Sequence, residues 1–115
     1  MTDTLSNKKV WKITRISGAT TITTSAAEIH SVSITQNSDY FNNIAASGGG
    51  GLITIYDNTT DSAPKVFEAF VSQANTVIAE NFVLDAKMLS GIDVQMQSSV
   101  ASGGMSGYDV TITWR

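Results

Sequence analysis

The chain has no cysteine, one proline, one histidine and only seven Lys and Arg residues among 115. Each shortage removes a class of function. Without cysteine there is no disulfide, no thiolate nucleophile and no thiolate metal set. A Ser–His–Asp relay would have to use His30, and zinc would find one imidazole. No apolar run approaches the ~20 residues of a membrane span. The few cations, with Lys8, Lys9, Lys12 and Arg15 near the start, form a weak basic patch. A nucleic-acid binder carries a dense stripe. The opening Met1-Thr-Asp-Thr-Leu-Ser-Asn-Lys-Lys has no apolar signal core, which predicts a protein made in the cytoplasm without a classical export signal.

Charge is scarce as well. Charged residues make up 15% and hydrophobic ones 42%, with a formal net charge of −3. The charged share is well below the usual ~25%, and Ser, Thr, Asn and Gln fill the gap. Such a surface repels itself weakly and favours permanent association. One domain of this size buries roughly two-thirds of its unfolded surface, so a single core suffices.

What is present is period-two alternation, the signature of strands. Trp11 and Ile13 share a face with Arg15, opposite Val10, Lys12, Thr14 and Ile16. Thr20 to Thr24 is a short Thr-rich strand. His30, Val32 and Ile34 oppose Ser31, Ser33 and Thr35. In Leu52 to Tyr56 both faces are fairly apolar, which predicts a central strand. Phe67, Ala69 and Val71 alternate with Val66, Glu68 and Phe70, and Ile78, Phe82 and Leu84 fall together. Ile92, Val94 and Met96 oppose Asp93, Gln95 and Gln97. Tyr108, Val110, Ile112 and Trp114 oppose Asp109, Thr111, Thr113 and Arg115. About eight short strands at this spacing predict an all-β, single antiparallel β-sandwich, jelly-roll-like, over residues 10–115, with an arm over 1–9.

The punctuation agrees. Ser47 to Gly51 reads as a loop because four consecutive glycines cannot specify an element. Pro64 ends a turn cluster that starts at Asp57, and it cannot sit within a central strand. Asp57-Asn58-Thr59-Thr60-Asp61 lacks the Gly and distal Glu of a calcium loop and reads as an Asp/Asn turn bonding its own backbone. The glycine run lacks the Lys-Ser/Thr of a phosphate cradle. Glu68 and Glu80 sit at alternating surface positions, with no sign of the perturbed pair that glycosidase chemistry needs. His30 lies in an alternating strand and reads as a core or interface histidine. The sequence therefore argues against an enzyme and implies no cofactor and no metal. Trp114 and Tyr108 belong to a core or a subunit interface. Tyr40 and Phe41, in the polar stretch Asn37 to Asn43, are candidate contacts with Asn37, Asp39 and Asn42. Lys8 and Lys9 of the arm join them.

Four pieces in order carry a family resemblance. They are Ile29-His30-Ser31-Val32-Ser33-Ile34, Gly51-Leu52-Ile53-Thr54-Ile55-Tyr56-Asp57-Asn58-Thr59, Leu89-Ser90-Gly91-Ile92-Asp93-Val94 and Tyr108-Asp109-Val110-Thr111-Ile112-Thr113-Trp114-Arg115. In these the chain resembles small virion structural proteins of tailed bacteriophages, the capsid decoration or cement class. The Tyr-Asp-Asn-Thr piece is the most specific. Pro64 and Lys65 depart from the Gly-rich continuation expected after it. The resemblance implies a module, often a homotrimer, on the capsid surface of the virion, with the major capsid protein as partner and neither nucleic acid nor membrane. The alternative expectation is a carbohydrate- or receptor-binding module of a phage tail or fibre.

Overall fold

The computed structural model describes residues 10–37, 50–72, 79–98 and 107–115. Eight strands follow one another: β1 (Lys12–Ile16), β2 (Thr20–Thr23), β3 (Ala27–Gln36), β4 (Gly50–Tyr56), β5 (Lys65–Ser72), β6 (Ala79–Met88), β7 (Ile92–Ser98) and β8 (Tyr108–Trp114). The arm over 1–9 and the stretch 38–49, which holds Asp39, Tyr40, Phe41 and Asn42, lie outside the described residues.

The strands form two four-stranded antiparallel sheets, ordered β1-β8-β3-β6 and β2-β7-β4-β5. Within that order β1 pairs with β8, β2 with β7, β3 with β6 and β4 with β5. The chain is thus one long antiparallel ribbon, doubled at the β4–β5 turn and rolled up. Rolling adds the pairings of β3 with β8 and β4 with β7. This nested pattern is the jelly roll. β4 lies between β7 and β5, as its two apolar faces require.

Alternation decides which side chains enter the space between the sheets. Ile29, Val32 and Ile34 of β3, Val110 and Ile112 of β8, Ile53 and Ile55 of β4, and Ile92, Val94 and Met96 of β7 are buried there. Burying each such side chain contributes about 1.5–3 kcal/mol. Tyr108 and Trp114 join them, and the Trp114 indole donates from Nε1 to Thr14 Oγ1 at 2.9 Å. Phe67 and Phe82 meet edge-on at 5.2 Å and close the side where β5 hands over to β6.

Three local readings of the sequence are corrected. Gly50 and Gly51 are not loop but the start of β4, where Gly51 is buried and pairs with Val71 and Ser98. His30 does not enter the core with Val32 and Ile34, because the register of β3 slips between Ile29 and Ser31. One extra residue on β3 against β8, and another on β6 against β3, turn the ring outward. There its Nδ1 lies 2.6 Å from the Asp85 carboxylate. Asp85, on the bulged side of β6, takes a left-handed φ of 48°. That conformation costs a non-glycine residue about 1–2 kcal/mol.

The third correction concerns Asp57, which bonds a distant loop rather than its own turn. Its carboxylate accepts the N–H groups of Leu89, Ser90 and Gly91 at 2.8, 2.7 and 3.4 Å. Burial pushes the carboxyl pKa up, but the three donors outweigh it and hold the group below its ordinary value. Asn58 serves the turn itself, accepting from Thr59 N and donating to the Ala63 carbonyl. Gly91 completes the corner. A Cβ on it would stand 2.6 Å from the Thr23 carbonyl oxygen and 2.8 Å from that of Asn58. Two of the resembling pieces, Tyr56 to Thr59 and Leu89 to Gly91, are therefore halves of one structural lock.

Candidate functional site

The outer face of the β1-β8-β3-β6 sheet is built by the residues that alternation leaves outside. Register lines them up in rows. Ile13 stands beside Thr113, Thr113 beside Ser31, and Ser31 beside Val83. The next row is Arg15, Thr111, Ser33 and Asn81, with Ser33 Oγ donating to Asn81 Oδ1 at 2.6 Å. The middle of the face is short hydroxyl side chains, half-buried by their neighbours. Its two margins carry exposed aliphatic groups, Ile13 at 74% and Val83 at 62% exposure. Short side chains on interior strands leave a flat surface, and the apolar margins give a partner something to bury.

The charges on this face are neutralised in place. Arg15 pairs with Asp109, donating from Nε at 2.5 Å, and Asp109 also accepts from the Asn37 side-chain amide at 2.8 Å. Asn37 N–H donates to the Gly107 carbonyl. Of the predicted contact residues within the described chain, Asn37 is therefore a strand-end anchor beside the face. Lys8, Lys9, Asp39, Tyr40, Phe41 and Asn42 fall outside the described residues.

At one end of the face, aromatic and charged side chains gather. The Arg115 guanidinium lies 4.1 Å from the centre of the half-exposed Trp11 ring, and Trp11 tilts against His30 at 5.5 Å. Backbone bonds in both directions between Arg115 and Glu28 fix this corner, with an ion pair at 3.5 Å between their side chains. Sequence reasoning placed Trp11 on one face with Ile13 and Arg15 and left the cluster unseen. Its members come from β3, β6 and the ends of β1 and β8, and no spacing in the chain relates them.

His30 and Asp85 resemble the base and orienting acid of a hydrolytic relay, but the contacts of the ring among the described residues are Asp85 and Trp11. Among the described residues no three His, Asp or Glu side chains converge as a metal set, and no helix is long and apolar enough to cross a membrane. No known protein family, curated protein or solved structure matches the chain.

Proposed function

We propose that this chain is a virion structural protein of a tailed bacteriophage, a decoration or cement module that docks on the head lattice and reinforces it. The observation that supports this reading most is the outer face of the β1-β8-β3-β6 sheet, rows of short hydroxyl side chains with exposed Ile13 and Val83 at the margins. A face of that kind suits a broad, shallow partner. The jelly roll itself is common to capsid and lectin modules and so supports a binding role without choosing the partner. In this reading the protein is a homotrimer standing where subunits of the major capsid protein meet. Many weak contacts acting together hold it there. In this reading the arm over 1–9 and the stretch Asn37 to Asn43 supply further contacts.

Co-sedimentation of the purified chain with undecorated capsids tests the reading. Ile13→Asp combined with Val83→Asp should abolish attachment while circular dichroism stays β-type. Deleting Met1 to Lys9 should weaken attachment and leave the trimer intact in native mass spectrometry. Attachment unchanged by the double substitution removes the face from the mechanism, and a monomer removes the trimer.

The second reading, a carbohydrate-binding module, is favoured by a separate feature, the cleft beside Trp114.

A further inference from the structure

A cleft of about 290 Å³ opens where the start of β1, the β2–β3 turn and the end of β8 meet. Its lining sorts into three chemistries. Lys12 and Arg115 supply two cations. Thr23 and Ser25 supply hydroxyls. Trp114, with Val10 and Ala26, supplies apolar surface. Among the described residues no carboxylate lines it, although the chain as a whole carries a net charge of −3.

We infer that this cleft binds a pyranose bearing a carboxylate, an acidic monosaccharide unit, between Lys12, Arg115 and the Thr23–Ser25 hydroxyls. The size is at the lower end of ligand pockets, right for one sugar ring. Each part of such a ligand meets a matching part of the lining. The Arg115 fork suits a planar carboxylate, which it can hold through two parallel bonds. Its present partner, Glu28, is 3.5 Å away, long for a charge-assisted bond, so a ligand carboxylate can compete. Stacking on Trp11 holds the fork in place from the other side. Lys12 Nζ sits 4.6 Å from the Trp114 ring centre and adds charge directly above the indole. The Thr23 and Ser25 hydroxyls lie 3.2 Å apart. Thr23 Oγ1 also accepts from the Ser25 N–H at 3.4 Å, so with Thr23 donating to Ser25 the Ser25 proton is left for a ligand and each oxygen keeps one lone pair for a sugar O–H. The exposed Val10 and Ala26 carbons, with the edge of the largely buried indole, complement the C–H face of the ring. A fatty acid would leave the hydroxyls unused, and a bare phosphate would leave the apolar floor unused. Trp11 acts as a positioning residue for Arg115. The site does not depend on lattice docking, because it lies on other residues than Ile13 and Val83.

The test is a titration of the whole chain, followed by ¹H–¹⁵N NMR, with glucuronate and N-acetylneuraminate beside neutral glucose and N-acetylglucosamine and beside acetate. Saturable shifts at the Trp114 indole N–H and at the Thr23 and Ser25 amides are expected for the two acids. Their dissociation constants should lie at about 1 mM, the scale of a few hydrogen bonds. Arg115→Gln and Lys12→Gln should each weaken binding about tenfold, as loss of a charged hydrogen bond predicts. Trp11→Ala should weaken it less and leave the shift pattern on Thr23 and Ser25 intact. Equal binding of the neutral sugars, equal binding of acetate, shifts confined to other residues, or no saturation by either acid would each overturn the assignment. Circular dichroism of each variant separates lost binding from lost fold.

Discussion

Two carboxylates at two corners of this sandwich do opposite work. Asp57 is buried and fixed by three backbone donors from a loop more than thirty residues further along the chain. Asp85 is exposed, sits in a left-handed backbone conformation and holds the only histidine. The first corner ties the doubled ribbon to itself through those three bonds. The second lies on a slipped register at the rim of a candidate contact face, where a single side-chain rotation breaks the pair. The difference teaches that hydrogen-bond length alone says little about rigidity. The 2.6 Å His30–Asp85 contact is shorter than any made by Asp57, yet solvent competes for both of its ends.

The contrast can be broken most severely at Gly91. Gly91→Ala puts a methyl against two backbone oxygens that cannot rotate away, and should cost about 3 kcal/mol, the upper range of overpacking. A thermal melt should show a drop on the order of 10 °C. Asp57→Ala should follow, at about 2 kcal/mol, because three N–H groups of the 89–91 loop, two part-buried and one buried, lose their acceptor. Asp57→Asn should recover part of that loss in urea unfolding, since one carbonyl oxygen still accepts.

Acid sharpens the same comparison. The Asp57 carboxyl is held below its ordinary value of 3.8, so its contribution is complete above that value and is lost as pH falls through the lower folded-state value. Urea midpoints should therefore fall as the medium is acidified below about pH 4, the unfolded carboxyl range. Asp57→Asn should flatten that part of the profile. A profile unchanged by the substitution would show that other carboxylates govern acid unfolding.

The smallest effects belong to the other corner. His30→Ala should shift stability by less than about 0.5 kcal/mol, as an exposed pair predicts. Asp85→Gly should be near neutral or slightly stabilising, because relief of the left-handed backbone, about 1 kcal/mol, offsets the lost pair. A loss above about 2 kcal/mol in either variant would make the slipped register a structural lock like the Asp57 corner.

The legibility of the chain follows the same division. Strands whose alternation is unbroken, such as Ile92 to Gln97 and Tyr108 to Arg115, could be read directly, because burial on one face leaves a period-two trace. Their number and spacing pointed to a sandwich or barrel, and the pairing order that makes the jelly roll came from the structure. Gly50 and Gly51 could not be read as strand, since a residue without a side chain leaves no alternation. His30 was read as a core or interface residue in phase with Val32 and Ile34, because a slipped register shifts the phase without marking the sequence. The importance of Tyr56 to Thr59 and of Leu89 to Gly91 showed as pattern, but their mutual contact did not, because donors on a backbone carry no residue signature. The cleft was illegible for a related reason. Lys12, Thr23, Ser25, Trp114 and Arg115 reach it from three separate segments, and only the winding of the ribbon makes them neighbours.

That winding also orders events in time. Each pairing in the nested ribbon encloses the one before it: β4 with β5 lies innermost, then β3 with β6, β2 with β7, and β1 with β8 outermost. Forming an inner pair shortens the loop that the next pair must close, which lowers its entropic cost. Zipping outward from the β4–β5 turn is thus the least costly route, and β1 is the last strand to arrive. The cleft around Trp114 and the rim at Ile13 both need β1, so they come into being only in a completed molecule. Pulse-labelled hydrogen exchange should protect Ile53 and Ile55 earlier than Ile13 and Thr14. In the proposed reading, recognition through this cleft and this rim is then confined to finished copies.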